Sequence, residues 1–457
     1  MTARLANTDG IPGGVAVPAY DRSRLTPGIV HIGPGAFFRA HMAVFTDGAI
    51  AHGGMDWGIE AVSPRSTDIV AALNEQNGLF TLLVRDRMET HARIVGSVVG
   101  AHALSGGRER VLARLTDPQT RIVSLTITEK AYTDAPDAMP ALLVEAIDRR
   151  RKAGDAPFTP LSCDNLPANG KVLERIVLDL ADRRDASLRR WIEVNIPFPS
   201  TMVDRITPAS TATTLADARR LTGRDDRAAV EAEPFAQWVI EDRFCAGRPP
   251  WEATGAIMVS DVAPYEKMKL RMLNGAHSLM AYLGQLKGHE FVRHAVADPD
   301  IASAVGRHLA WASSTLSPVP GVNLATYAAD LIERFANPAI AHRTAQIAMD
   351  GTQKLPQRIL EPAVEMLAQD RGAEPAARLV AAWMAYVRQA LDRGGSQELR
   401  DPRGGEIAAL LQDVPAEAGP IAAALFTLPG LFPDQLQSNA EFRRMVLAEL
   451  ASLCAAR

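Results

Sequence analysis

Between Tyr265 and Gly284 the chain reads YEKMKLRMLNGAHSLMAYLG, and Lys269, Asn274 and His277 lie within it. These three side-chain types can do proton-transfer chemistry together. An amine relieved of its proton is a base, an amide N–H stabilises a developing alkoxide, and an imidazole orients either partner. Burial supplies the first condition, because desolvation penalises the ammonium form of lysine. The plain reading of each residue stands beside this one: a lysine whose stem lies on apolar surface with its amine in water, and two polar groups satisfied in a core.

The stretch predicts a helix, with Met268, Leu270, Met272, Leu273, Leu279, Met280 and Leu283 too frequent for an exposed one. At about 100° per residue, Asn274 falls about 140° and His277 about 80° round from Lys269, one broad face over about 12 Å of axis. Tyr265 and Lys269 also have the spacing of the catalytic pair of short-chain dehydrogenases. That context is wrong here: the pair lies about 230 residues after the glycine-rich turn described next, outside the first βαβ block.

Upstream, GIVHIG (28–33) reads as a buried strand running into GPGAFFRAH (33–41) and a helical pattern through Ile50. Strand, glycine turn and helix form the first half of a dinucleotide-binding unit. Gly33 permits the turn, Gly35 permits close approach, and the N–H groups that follow, at Ala36 and Phe37, face a pyrophosphate. The third glycine of G-x-G-x-x-G is absent, and Phe38 stands there; as a bare pattern a turn with no ligand is an equal alternative. A second strand, WGIEAVSP (57–64), ends in Arg65 and Ser66, where an acid would bind a ribose hydroxyl. Arg65 suits a 2′-phosphate or is a solvated loop residue, so NAD and NADP both stay open. LFTLLVRD (79–86) and RIVGSVVG (93–100) alternate like a hairpin. RIVSLTITEKAY (121–132) is a β-branched strand ending in Thr128, Glu129 and Lys130, where ligands sit in open α/β sheets. FTPLSCDNLPANG (158–170) leads into a turn crowded with Asp164, Asn165, Asn169 and Gly170, residues that favour turns for local reasons.

From Tyr265 onward the pattern is mainly helical, as in 301–316, 324–336, 377–393 and 442–456. The fold class expected is α/β, a Rossmann-like N-terminal domain (1–264) followed by a predominantly α-helical C-terminal domain (265–457). The Lys269 helix opens the second domain, at a boundary that small-molecule sites favour. The 457 residues exceed one ordinary core. A net charge of −4 leaves no footprint for nucleic acid or an anionic membrane. Three distant cysteines form no zinc-ligand spacing, so no metal is expected. The first residues carry no apolar h-region and no apolar run approaches 18 residues, so a cytoplasmic location is expected.

Several blocks, in order, decide more than spacing can: GPGAFFRAH (33–41), SLTITEKAY (124–132), SCDNLPANG (162–170), TMVDRITP (201–208), EPFAQWVIED (233–242), MKLRMLNGAHS (268–278) and MDGTQKLPQR (349–358). With these the chain resembles, over nearly its whole length, the long-chain mannitol dehydrogenase family, which includes mannitol 2-dehydrogenases and fructuronate reductases. The resemblance implies a metal-independent secondary-alcohol oxidoreductase using NAD, with NADP open. It implies Lys269 as general acid/base, Asn165 and Asn274 as amide donors to the reacting oxygen, His277 as an orienting group, and Asp204 as a ligand of the substrate chain. Mannitol dehydrogenases of the family carry an arginine where this chain has Gln346. HRTAQIAMDGTQKLPQR (342–358) resembles the fructuronate reductases more closely, and Arg343, Lys354 and Arg358 are candidate cations for a sugar carboxylate.

The expected reaction interconverts D-fructuronate and D-mannonate. Mannitol/fructose oxidoreduction is the alternative, and a coenzyme- or sugar-binding protein without turnover the more distant one. The expected partners are a small sugar acid or polyol and the coenzyme, in a monomer or small homo-oligomer.

Overall fold

Among the described residues eleven strands arise, mostly where the sequence is β-branched or apolar: β1 (Pro27–Ile32), β2 (Gly58–Ser63), β3 (Phe80–Arg85), β4 (Thr90–Val95), β5 (Val98–Ala103), β6 (Ile122–Leu125), β7 (Thr159–Ser162), β8 (Thr201–Asp204), β9 (Val230–Ala232), β10 (Gln237–Glu241) and β11 (Ile257–Val259). They are seen in a computed structural model that describes residues 2–128, 131–136 and 138–455. The chain divides into two compact units, Met1–Ala263 and Pro264–Arg457.

The first unit is built on a five-stranded parallel sheet of order β5-β2-β1-β6-β7. Both faces are covered, so its strands are buried at most positions, the polar His31, Ser124 and Ser162 included. Alternate side chains feed two cores: Ile29, Ala61 and Ile122 enter one, and Val30, Val62 and Val123 the other. The chain winds outward from β1 to β2 and β5, then returns to lay β6 on the other side of β1. The carboxyl ends of β1 and β6 therefore form a topological switch point, where open α/β sheets bind ligands. This is the Rossmann-like arrangement expected.

Two smaller sheets, β11-β10-β8 and β4-β3-β9, complete the unit. β3 and β4 form the expected hairpin, with Phe80 opposite Val95 and Arg85 opposite Thr90. The second arm does not continue to residue 100, however. The chain turns at Gly96 and Ser97, and β5 joins the main sheet beside β2. A side chain at Gly96 would meet Pro18 at 2.6 Å, and its N–H donates to Asp47 at 2.8 Å. The helix expected through Ile50 is likewise two pieces, Ala36–Ala40 and Met42–Ala51, broken at His41 (φ −126°, ψ −92°).

The second unit is helical. Its central rod runs Ala263–Met268, Lys269–Asn274 and Gly275–Lys287 without interruption, but the middle segment is a π-turn. Every residue from Gly275 to Gly284 is buried, as befits a helix covered on all sides. Pro299–Ser314, Thr344–Ala348 and Glu374–Leu399 pack around it. A second π-turn, Pro356–Leu360, lies between Gly351–Leu355 and Glu361–Leu367 and packs against the first. Pro356 has no N–H for an α-helical bond, and the Glu361 N–H reaches back five residues to the Pro356 carbonyl. No helix among the described residues is long and apolar enough to cross a membrane.

Candidate active site

In the first unit, the carboxyl ends of β1, β6 and β7 are joined by polar groups. Gly33 has φ +98°, and a Cβ there would stand 2.2 Å from the Thr126 carbonyl. Glycine is thus required twice, by conformation and by approach. The Thr126 hydroxyl donates to the Gly33 carbonyl at 2.7 Å. Beneath the turn, the buried His31 ring bonds Ser124 and Thr126 at 2.9 Å each and stacks on Phe38 at 3.7 Å. Phe38 occupies the place of the third glycine because this aromatic contact, rather than close backbone approach, joins helix to strand. Gly35 is exposed and Ala36 and Phe37 partly so, which leaves the turn facing solvent.

Thr128, after β6, is left-handed at φ 70°, a strained conformation for a β-branched residue and one that gathers at functional sites. Asp164, after β7, accepts from the N–H groups of Ile127 (3.0 Å) and Thr128 (2.9 Å) and from the Tyr132 hydroxyl (2.8 Å). Burial raises the pKa of the Asp164 carboxyl against the pull of these donors. Thr128 itself is exposed, and Asn165, next to Asp164, is exposed too. Glu129 lies outside the described residues. Asn169 is structural: its amide bonds the Asp164 and Thr201 carbonyls at 3.0 Å each and accepts from the Thr201 N–H at 2.9 Å. Asp204 ends β8 and is buried. Arg65 is exposed after β2, whereas Glu60 within that strand is paired with His102 at 2.6 Å.

In the second unit the π-turn redraws the face expected from an ideal helix. The Gly275 N–H donates to the Leu270 carbonyl, five residues back. Such a turn absorbs one extra residue. The angle from Lys269 to Asn274 shrinks from about 140° to about 40°, and that to His277 from about 80° to about 20°. Lys269 and His277 are both buried. His277 is held neutral, its pKa pushed well below the usual range by burial and then by His342, Arg334, Arg358 and Lys269. Its Nε2 is buried with no hydrogen-bond partner, and its ring packs on Phe335 (4.7 Å) and edge-on to His342 (5.2 Å). His342 is lowered to about 4 by burial and by Lys354. Two neutral imidazoles thus sit in the field of four cations, Lys269, Arg334, Lys354 and Arg358.

Arg358, on the second π-turn, donates to the Ser278 hydroxyl at 3.0 Å and the Asn274 carbonyl at 3.3 Å. Lys354 donates to the Ile347 carbonyl at 3.1 Å. Arg343 does not join them: its side chain is 61% exposed and paired with Glu290. Its guanidinium is engaged at the surface, apart from the group around His277. Tyr265 is spent as well, buried with its hydroxyl donating to the Pro320 carbonyl at 2.7 Å. Spacing offered no signal for Arg334 or His342, which come near His277 only through tertiary packing. Among the described residues no group of three or more His, Cys, Asp or Glu is placed to hold a metal ion.

The first unit carries a switch-point glycine turn on a parallel sheet, and the second a lysine, an amide and a neutral imidazole on one helix, the side-chain types a nucleotide-dependent oxidoreductase uses. Residues 27–253 match the mannitol dehydrogenase Rossmann domain, and residues 261–454 match the mannitol dehydrogenase C-terminal domain. The chain belongs to the mannitol dehydrogenase family of oxidoreductases. It is 43% identical to the uncharacterized oxidoreductase YdfI of Escherichia coli, over 96% of this chain and 95% of that one. It is 41% identical to the D-mannonate oxidoreductase of Escherichia coli, over 96% of each. Among solved structures it is similar to Pseudomonas fluorescens mannitol 2-dehydrogenase in ternary complex with NAD and D-mannitol: 34% identity, TM-score 0.88, covering 99% of this chain and 97% of that one.

Proposed function

We propose that this protein is a metal-independent oxidoreductase that interconverts D-fructuronate and D-mannonate with NAD. Bound nicotinamide supplies the hydride for reduction of the ketone and accepts it in the reverse direction. The open turn at Gly33 and Gly35, the N–H groups of Ala36 and Phe37, and Thr128 fit a dinucleotide. Arg65 is assigned to the ribose end of the coenzyme.

Lys269 gives a proton to the carbonyl oxygen as the hydride arrives, or takes it from the hydroxyl in oxidation. Asn274 and Asn165 are assigned as amide donors to that oxygen, where charge develops. His277, neutral and buried, orients the substrate hydroxyl or the lysine. Asp204 is assigned to the hydroxyl chain of the sugar.

The observation that carries the sugar-acid reading is the cationic field of Lys269, Arg334, Lys354 and Arg358 around His277 and His342. A hexuronate carboxylate carries charge of the opposite sign to this field, and a polyol carries none. Arg358 is the cation assigned to the carboxylate, with Lys354 adding to the field. The 41% identity to a D-mannonate oxidoreductase supports the same choice.

The test is oxidation of the reduced coenzyme with fructuronate and with fructose, by wild type and Lys269→Ala. Wild type is expected to prefer fructuronate, and the variant to lose at least about a hundredfold in kcat. A wild type that prefers fructose would overturn the substrate assignment, and an unimpaired variant the mechanism.

A further inference from the structure

We infer that His308 is a positioning residue for the reaction: it holds the carbonyl of Arg271 and so keeps the π-turn that brings Lys269, Asn274 and His277 onto one line. The inference rests on the reading of Lys269 as the proton-transfer group.

A π-turn upsets the helical ladder, because N–H groups skip their normal acceptors. The acceptor that an α-helix would assign to the Gly275 N–H is the Arg271 carbonyl. That N–H instead goes to the carbonyls of Leu270 and Met272. The Arg271 backbone lies in a buried stretch, where a carbonyl needs a donor. His308, on the neighbouring helix Pro299–Ser314, supplies one: its Nε2 lies 3.0 Å from the Arg271 oxygen. The bond sets the tautomer, with the proton on Nε2, since a carbonyl can only accept. The ring is fully buried, and burial lowers its pKa to about 4, so it stays neutral at working pH.

Residue 275 must be glycine for this contact to form. A Cβ there would stand 2.5 Å from His308 Nε2 and 2.9 Å from its neighbouring ring carbon. The Arg271 side chain clamps the same turn from another side, donating to the Thr315 carbonyl at 2.8 Å and to Glu365 at 2.7 Å. Backbone and side chain of one residue are therefore held by two helices, Pro299–Ser314 with its C-cap Thr315 and Glu361–Leu367, and neither carries a group assigned to the chemistry. A turn reset to α-helical register would swing Lys269 away from Asn274 by about 100°.

Three variants of the full chain test this: His308→Leu, which removes the donor; His308→Gln, which restores an amide donor; and Gly275→Ala, which pushes the ring away with donor and acceptor intact. For His308→Leu and Gly275→Ala, kcat for fructuronate is expected to fall at least about tenfold through misalignment, with coenzyme affinity unchanged. His308→Gln is expected to recover most of it. A crystal structure of His308→Leu is expected to show the Gly275 to Leu270 bond broken.

A residue that only fills the core gives a different pattern: lowered thermal stability in all three, with kcat within about twofold of wild type; that result overturns the inference. An intact π-turn in the His308→Leu crystal overturns it too. If His308→Leu does not fold, His308→Gln and Gly275→Ala decide, since wild-type kcat in Gly275→Ala is fatal. Wild type inert with every ketose and keto-acid would sink the proposed function instead, and the crystallographic comparison would still decide the role of His308.

Discussion

Asp164 holds Thr128 in a left-handed conformation: its carboxylate accepts the Thr128 N–H at 2.9 Å while the backbone there has φ 70°. The strain is set by the neighbouring strand end, because Asp164 follows β7 and Thr128 follows β6. Asp164→Ala would leave the Ile127 and Thr128 N–H groups without their acceptor and the Tyr132 hydroxyl with Ser162 alone. A lost acceptor costs about 1–3 kcal/mol per buried donor, and the net loss is expected at about 2–4 kcal/mol, with weaker coenzyme binding. Thr128→Gly should relieve about 1 kcal/mol of strain. Denaturant unfolding of both variants, with a titration of reduced coenzyme, checks this; Asp164→Ala as stable as wild type would contradict it.

Gly33→Ala should weaken coenzyme binding more than it harms folding elsewhere. The new methyl would have to share space with the Thr126 carbonyl, 2.2 Å away, in a conformation that L-residues avoid. The expected outcome is a loss of affinity on the order of a hundredfold by fluorescence titration. Unchanged affinity would remove the β1 turn from the proposed coenzyme site.

The two arginines of the 342–358 stretch should separate. Arg358→Ala is expected to raise KM for fructuronate at least about tenfold, as loss of a charged hydrogen bond does, and to affect fructose much less. Arg343→Ala breaks only an exposed pair with Glu290, whose side chains are 61% and 55% exposed, so kinetics should stay near wild type and stability should change by at most about 1 kcal/mol. Equal effects of the two on fructuronate would show that the carboxylate is not read by Arg358.

Stability should fall in mild acid through buried histidines. His31 and His308 are fully buried, with pKa values lowered by burial to about 3 and about 4. Above the unfolded value of about 6.5 neither state is protonated, and nothing is gained or lost. As pH falls below it, the unfolded chain takes up protons that the folded chain refuses. Each histidine then costs about 1.4 kcal/mol per pH unit until its folded pKa is reached. Denaturant midpoints at pH 7, 6 and 5 measure this, and a flat profile across that range would refute it.

Much of the fold was legible because it is written in contiguous residues. The run 28–33 with its glycines, the β-branched run 121–132 and the helical periodicity after Tyr265 each report a local backbone preference. That Lys269, Asn274 and His277 share one helical rod was legible for the same reason, since one short segment carries all three. The hairpin arm 93–100 was misread because alternation persists through Gly96, while only the crowding of Pro18 and Asp47 shows that the chain changes sheets there.

By itself, then, the sequence determined a switch-point glycine turn and a helix loaded with an amine, an amide and an imidazole, since spacing and side-chain chemistry are properties of adjacent residues. Tertiary structure alone decided how those three groups are aimed. The π-turn that narrows their angle depends on a bond from His308, which lies one helix away, and on the empty space at Gly275. It also decided where the cations lie. Arg358 is carried to Ser278 by the second π-turn, while Arg343 is drawn off by Glu290; both are arginines of one short stretch, and only packing tells them apart.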